Sequence, residues 1–202
     1  MRYTFVWLWL VGAAACQPPT SPDLFADAVV SFKPGPGAGF GSEGFPDIVL
    51  GPPLGEGEGM GSLHVLSLGK EGEIVLEFLE PIAVDGPGPD LVVFENPFIG
   101  WVETGVVAVS EDGQNWREFP CATNREAGTF TGCAGVKPVF ASPLDGVGKL
   151  DAAMVGGDAF DLAEVQLPQA RFVRIRDSGQ NTYAPPGGGF DLDAVGAVNT
   201  GR

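Results

Sequence analysis

The fold is indicated most clearly by a stretch in the second half of the chain, Val107-Ala-Val-Ser-Glu-Asp-Gly-Gln-Asn-Trp116. An alternating run leads into Glu-Asp-Gly-Gln, and Asp-Gly is a strong hairpin-turn dipeptide. The stretch predicts two antiparallel strands, at residues 105–110 and 115–119. We expect Trp116, just after the turn, to pack in the core.

Two later stretches have the same strand character, Ala170-Arg-Phe-Val-Arg-Ile-Arg-Asp177 and Gly188-Gly-Phe-Asp-Leu-Asp-Ala-Val195. They predict the last two strands, at residues 171–176 and 190–198. Arginines alternate in part with apolar residues in the first of these strands, and alternate side chains point to opposite faces of a sheet. The arginines are therefore interpreted as a solvated sheet face.

The first half of the chain predicts further strands. Residues 27–32 form one, and residues 62–68 and 73–79 are interpreted as a hairpin closed by Gly69-Lys-Glu-Gly72. Residues 90–95 are mostly apolar, which is typical of a central strand covered on both faces. About nine or ten strands and no long helical periodicity favour a single all-β domain, an antiparallel β-sandwich of jelly-roll type. We place it at residues 25–199, before a short tail at 200–202.

The N-terminus has the pattern of an export signal. Arg2 precedes an apolar run at residues 5–11, and small residues lead to Cys16. The run is too short to span a bilayer. Because the cysteine follows small residues, the segment resembles a bacterial lipobox. It implies a signal peptide at residues 1–15, a lipid on Cys16 and a tether at residues 16–24. The alternative is an ordinary signal peptide cut nearby.

The lipobox resemblance implies a location for the protein. The chain is expected in the cell envelope, held to the membrane by the lipid anchor alone. Gln17 follows the cysteine, which in lipoproteins of this type implies sorting to the outer membrane or the cell surface.

Charge and cysteines limit the partners. The chain has 26 acidic and 11 basic residues and a formal net charge of −15, whereas nucleic-acid binding requires a cationic surface. Cation binding is compatible with this acidity. Cys121 and Cys133 are predicted to form a disulfide, since disulfides persist in exported proteins. A zinc site is the weaker alternative, because His64 is the only histidine. The sequence does not indicate an oligomeric state.

Taken in order, the three opening stretches resemble galactose-binding-like jelly rolls, a group that includes discoidin domains and many carbohydrate-binding modules. Leu50-Gly-Pro-Pro53 and Asp85-Gly-Pro-Gly-Pro-Asp-Leu91 also resemble segments of bacterial cell-surface proteins. The resemblance covers about residues 25–199. It implies the fold more strongly than the function, since one fold serves many functions.

Acidic residues gather at strand ends, where five of them are candidate calcium ligands: Asp85, Asp90, Asp177, Asp191 and Asp193. Calcium takes six to eight oxygen ligands. The resemblance implies a structural calcium held by an acid near the terminal strand, with Asp193 as the best match and Asp191 next. These two are expected to share one strand face. The alternative is that these aspartates only stabilise turns.

Candidate sugar-binding residues lie in two loops. Trp101 and Tyr183 are candidate aromatic platforms, and Asn96 can hydrogen-bond a hydroxyl group. The alternative is that the aromatic residues are buried anchors.

These patterns favour a non-catalytic, lipid-anchored surface module that binds a glycan or another envelope component. The alternative is an adhesion protein with protein partners and no sugar ligand. An enzyme is not expected, because no Gly-x-Ser-x-Gly motif occurs and no spacing singles out a pair of catalytic acids.

Overall fold

The computed structural model describes residues 24–57, 60–97, 101–140, 150–180 and 188–202. The expected signal peptide, Cys16, most of the tether and Tyr183 lie outside these residues. The described residues contain fourteen strands, and every pairing between them is antiparallel. Among these residues, helix is limited to α1 (Ala152–Val155) and short 3₁₀ turns at Ser42–Gly44, Asp47–Val49 and Leu162–Val165. The predicted all-β antiparallel sandwich is confirmed.

Two larger sheets form the sandwich. The five-stranded sheet has the order β1 (Ala28–Lys33), β3 (Glu73–Glu77), β12 (Phe172–Asp177), β6 (Gly105–Ser110) and β7 (Arg117–Glu118). The four-stranded sheet has the order β10 (Asp158–Phe160), β5 (Leu91–Glu95), β13 (Asp191–Ala197) and β2 (Leu66–Ser67).

Two small sheets complete the fold. One joins β11 (Gln169–Ala170), β4 (Ile82–Val84) and β14 (Thr200–Gly201). The other is a ribbon of β8 (Ala122–Asn124) and β9 (Thr129–Thr131). β14 pairs with β4, so Thr200 and Gly201 of the short C-terminal tail belong to this sheet.

The main core lies between the two larger sheets. The two-residue period of each strand sends one set of side chains inward, as in β12, where Val173 and Ile175 are buried and their neighbours are partly exposed. The five-stranded sheet also contributes Leu76, and the four-stranded sheet contributes Leu91 and Val195 to the same cluster. The burial of this apolar surface is the main force holding the two sheets together.

A second apolar cluster covers the opposite face of the four-stranded sheet. Val92 and Phe94 of β5 pack there with Phe25, Val139 and Leu150. All five residues of β5 are buried. The prediction of a central strand covered on both faces is therefore confirmed.

One predicted hairpin is confirmed and the other is wrong. β6 and β7 pair across the Asp-Gly turn, where Asp112 accepts the N–H groups of Gln114 and Asn115 at 2.8 Å each. In contrast, β2 pairs with β13 and β3 pairs with β1 and β12. The turn at residues 69–72 thus carries the chain from one sheet to the other, so its flanking segments do not pair.

The outer face of the five-stranded sheet carries the arginines, as predicted. Arg174 lies near Glu73 and Glu118, with nitrogen–oxygen distances of 3.9 and 3.7 Å. Trp116 does not pack in the core. It lies half-buried on this outer face, with the Arg174 guanidinium 4.8 Å from its ring centroid. Phe119 is the aromatic residue that this segment buries, and the two-residue period places Trp116 on the opposite face from Phe119.

Cys121 and Cys133 form a disulfide with a Cα–Cα distance of 4.5 Å, as predicted. It closes the loop that carries β8 and β9. Reduction should lower the free energy of unfolding by about 3 kcal/mol, because the open loop gains entropy in the unfolded chain. Urea unfolding with and without reductant measures this change. The matched control is the double variant Cys121→Ser, Cys133→Ser, which should not respond to reductant. Equal stability of the oxidised and reduced wild type would contradict the prediction.

Candidate functional site

A cavity with a volume of about 590 Å³ lies at one end of the four-stranded sheet. It is bounded by the loop at residues 37–40, by Ser62 and Leu63, and by the ends of β2, β5 and β13. Two of the three residues predicted to bind a sugar, Trp101 and Asn96, line it. Asp191, predicted as a calcium ligand, lines it as well.

Apolar side chains form much of the cavity wall. Trp101 is 36% exposed, Phe40 is 50% exposed and Leu63 is 80% exposed. Residues of this size are usually buried in a folded domain. Their exposure around one concavity is typical of a ligand site, where apolar walls surround a few polar groups.

Glu103 connects the aromatic wall to the polar end of the cavity. It is 4% exposed, and one carboxylate oxygen accepts the N–H of Gly189 at 2.8 Å. Burial raises the pKa of Glu103, and hydrogen bonds from Gly189 and from the Trp101 side chain oppose that rise. Because the indole N–H is the only donor of a tryptophan side chain, Glu103 helps to orient the Trp101 ring.

Gly189 allows this contact. Its φ of +130° is rare for residues with a side chain, and a Cβ there would lie 2.7 Å from backbone atoms of Gly69. The chain thus passes close to the turn at residues 69–72 and presents its N–H to Glu103.

Asp191 is the second carboxyl group in the cavity wall. Burial raises its pKa to about 7, the charge of Glu103 adds to the rise, and a hydrogen bond from the Ser67 side chain opposes it. Asp191 is the first residue of β13 and pairs with Ser67 of β2. The four-stranded sheet therefore fixes both the carboxyl group and its donor.

Glu95, the last residue of β5, is 3% exposed and lines a separate small pocket with Asp193, not this cavity. Its Oε1 accepts the N–H of Asp191 at 3.3 Å, and its Oε2 has no hydrogen-bond partner among the described residues. Burial, and then the charge of Asp191, raise the pKa of Glu95 well above its usual value. Glu95, Glu103 and Asp191 are called the carboxyl cluster below.

Asn96 fixes the rim of the cavity. Its Nδ2 donates to the carbonyl oxygen of Ser62 at 2.7 Å. A Cβ at Gly61 would collide with the Asn96 amide. The glycine therefore lets the loop lie against Asn96 without a shift of the amide, and Asn96 holds Ser62 in the cavity wall.

Asp193 does not line this cavity, although it was expected to share a face with Asp191. The pairing of β13 with β5 shifts register between Leu192 and Ala194. This bulge separates the two carboxylates. Asp193 is 2% exposed, and it accepts the N–H of Leu54 at 3.0 and 3.2 Å.

The stability of the protein should fall as the pH rises from about 4 to about 7, in part because of Asp193. Burial raises its pKa from 3.8 to about 7. The contribution of Asp193 to the free energy of unfolding is thus fully present below its unfolded pKa and is lost as the pH rises through its folded pKa. The loss is at most about 4 kcal/mol. Urea unfolding at several pH values measures it. Asp193→Asn should flatten the profile, and an unchanged profile in that variant would contradict the assignment.

A different set of acids lies at the other end of β5. Carboxylate oxygens of Asp85, Asp90 and Asp161 lie within 4.8 Å of one another, so this trio could hold a metal ion. Asp90 and Glu95 are five residues apart on an extended strand, about 17 Å. The trio is therefore separate from the cavity.

Asp90 also has a structural role in this trio. It is fully buried and accepts hydrogen bonds from the N–H groups of Gly86 and Leu162 and from the Asn199 side chain, at 2.8 to 2.9 Å. Asp161, which was not among the five predicted ligands, accepts the N–H of Ala163 at the start of a 3₁₀ turn. That N-cap position was the only signal for Asp161 in the sequence.

Asp177 belongs neither to the trio nor to the cavity wall. It accepts three backbone N–H groups, from Glu71 at 2.8 Å, Gly179 at 2.9 Å and Phe190 at 3.0 Å. Of the five predicted calcium ligands, Asp85 and Asp90 belong to the trio and Asp191 lines the cavity. Asp177 and Asp193 are buried and accept backbone N–H groups.

Comparison with known proteins adds no family assignment. No family model matches the chain, and no curated protein matches it significantly. Within the described part of the chain, no helix is long and apolar enough to cross a membrane. The cavity itself is therefore the basis for a functional proposal.

Proposed function

We propose that the protein is a non-catalytic binding module and that its ligand, a glycan or a related envelope component, occupies the Trp101 cavity. The observation that carries the proposal is the combination of an exposed indole with polar groups in one concave site of about 590 Å³. Sugars present apolar C–H faces and hydroxyl groups, so they match an aromatic wall flanked by hydrogen-bonding side chains. A concave site also favours a small ligand over the flat protein partner considered as the alternative.

We further propose that the protein is exported and lipid-anchored through Cys16. The support is the sequence pattern of the N-terminus and the disulfide, since disulfides are typical of oxidising compartments. Palmitate labelling of wild type and of Cys16→Ser tests the anchor. Absence of label on the wild type would contradict it.

A glycan array tests the proposed function. Wild type should bind a restricted set of glycans, and Trp101→Ala should lose them. Trp116→Ala is the matched control, because Trp116 is the tryptophan on the outer sheet face. Equal binding by wild type and Trp101→Ala would place the site elsewhere, and no binding by wild type would contradict a glycan ligand.

One observation favours a second candidate, glycoside hydrolysis. Asp191 and Glu103 line one cavity, and burial raises the pKa of both, to about 7 for Asp191. A carboxylic acid that stays protonated near neutral pH can act as a general acid beside a second carboxylate. Incubation of any bound oligosaccharide with wild type, followed by product analysis, decides between the candidates. We expect no cleavage, and turnover that is lost in Asp191→Asn would establish the hydrolase.

Calcium is the ion that we propose for the Asp85–Asp90–Asp161 trio. Carboxylates are ligands that calcium prefers, but Asp90 already accepts three N–H donors. Asp85 and Asp161 would therefore supply most of the carboxylate ligation. Calcium should raise the melting temperature and EDTA should lower it, with both shifts lost in Asp85→Asn. A melting temperature that is the same in calcium and EDTA would contradict the site.

A further inference from the structure

We propose that the Trp101 cavity selects a positively charged ligand, namely a glycan that carries free amino groups. This inference rests on the proposed function and specifies the ligand class of the same site. It depends on four features of the cavity: its carboxyl groups, the scarcity of basic groups near it, its aromatic wall and the spacing of its acids.

Glu103 and Asp191 are the charged residues among the described residues that line the cavity. No lysine, arginine or histidine is among the described residues that line the cavity. The ion pairs between described residues join Lys33, Arg171, Arg174 and Arg176 to acids on the outer face of the five-stranded sheet. These four basic residues therefore act at a different surface.

Arg125 is a basic residue whose charge affects Glu103. It lowers the pKa of Glu103, but its effect is the smallest of the five causes acting on that group. Its guanidinium donates to the carbonyl oxygens of Gln180 and Val102. Arg125 thus offsets part of the negative charge at Glu103.

Glu95 adds a third carboxyl group beside Asp191, although it lines a separate small pocket and not the Trp101 cavity. Its Oε2 is buried and has no hydrogen-bond partner among the described residues, and it belongs to a carboxyl group that is next to Asp191. A buried oxygen of this kind is costly when it is unpaired. A ligand ammonium at Asp191 would favour ionisation of both carboxyl groups, because opposite charges stabilise each other most in a partly buried site.

The aromatic wall fits the same ligand. An ammonium group is attracted to the face of an indole ring within about 6 Å of its centroid, and the attraction strengthens when the group is desolvated. Trp101 is hydrogen-bonded to Glu103, so the aromatic and the anionic parts of the site are joined. An amino sugar can place its C–H face on the ring and its ammonium group at a carboxylate.

The spacing of the acids favours an organic cation over a metal ion. A metal ion needs several oxygens converging on one point. Among the described residues, the acids that come within 4.8 Å of one another as a group of three are Asp85, Asp90 and Asp161, not the carboxyl cluster. A ligand with several amino groups can instead reach carboxylates that are further apart.

The test compares two glucosamine oligomers of equal length, one with free amino groups and one fully N-acetylated. Affinities are measured by calorimetry at neutral pH and low salt, with the full protein. We expect the amino form to bind at least about tenfold more tightly, and salt to reduce the difference by screening. Asp191→Asn and Glu103→Gln should each lower the ratio of the two affinities toward one.

Glu118→Gln is the matched control, since Glu118 is an acid on the outer sheet face, and it should leave the ratio unchanged. Melting temperatures show that each variant is folded. Equal or tighter binding of the acetylated form, or a ratio that survives Asp191→Asn, would overturn the charge inference and leave the proposed function in place. Failure of both oligomers and of every neutral glycan would overturn both. Displacement of the bound amino oligomer by calcium alone, with magnesium inactive, would assign the carboxyl cluster to a metal and also overturn the inference.

Discussion

Replacing Asp177 with alanine should lower the free energy of unfolding by about 4 kcal/mol, the largest single-residue effect that we expect on stability. Asp177 is fully buried at the end of β12, in line with Val173 and Ile175. The two-residue period of the strand places it in the sandwich interior, where an unpaired carboxylate would be costly. It is instead satisfied by three backbone N–H groups.

The three donors belong to separate parts of the chain. Phe190 precedes β13, Gly179 follows β12, and Glu71 lies in the turn that connects the two larger sheets. Glu71 has a φ of +58°, which is uncommon for a residue with a side chain. Loss of the carboxylate removes the acceptor that holds this turn and leaves buried donors unpaired.

Urea unfolding followed by circular dichroism measures the effect. Asp177→Asn keeps one acceptor oxygen and should lose about half as much stability as Asp177→Ala. Glu126→Ala changes an exposed acid and should stay within about 0.5 kcal/mol of wild type. A loss below about 1 kcal/mol in Asp177→Ala would show that the three contacts do not support the fold.

Removing the indole of Trp101 should weaken ligand binding about 30-fold, the largest effect that we expect on function. Tryptophans in ligand sites commonly contribute about 2 kcal/mol or more when truncated to alanine. Trp101 is partly exposed, and a hydrogen bond to Glu103 already holds its ring. Little side-chain entropy is therefore lost when a ligand contacts it. The probe is any glycan that the array identifies, and calorimetry gives the affinity.

Two variants make this result specific. Trp101→Phe keeps an aromatic face but cannot donate to Glu103, so it should bind with an affinity between those of wild type and Trp101→Ala. Trp116→Ala should bind like wild type, because it alters the opposite sheet. Full affinity in Trp101→Ala would show that the ligand does not use the cavity.

The sequence predicted the architecture correctly where the local pattern of a strand also determines its pairing or its burial. The Asp-Gly turn joins strands that do pair, and the alternation at residues 172–177 marks which side chains face inward. The continuous apolar run at residues 91–94 marked a strand that is covered on both faces. In each case the local pattern decides the outcome.

The first hairpin shows where this reasoning fails. Two apolar runs flank a glycine-rich turn, which satisfies every local criterion for a hairpin. β2 and β3 nevertheless belong to different sheets. The choice of partner depends on strands that are distant in the sequence, and a single pair of apolar runs does not encode it.

The candidate site was only partly predictable for the same reason. Trp101 and Asn96 were recognisable as loop residues of the types that bind sugars. Glu103 and Asp191 are 88 residues apart, and only the packing of the two sheets brings them to one cavity. The bulge at Asp193, which separates it from Asp191, also depends on pairing with β5. No local motif records these relations.

Fluorescence of Trp101 tests the central claim, that the ligand occupies this cavity, most directly. Between residues 24 and 202 the chain has two tryptophans, Trp101 and Trp116, so Trp116→Phe makes Trp101 the reporter of that region. Titration with the amino-bearing glucosamine oligomer should shift its emission in a saturable way, with the same dissociation constant that calorimetry gives. The companion variant Trp101→Phe should show no shift and weaker binding. Binding with unchanged affinity that leaves Trp101 emission constant would contradict the account.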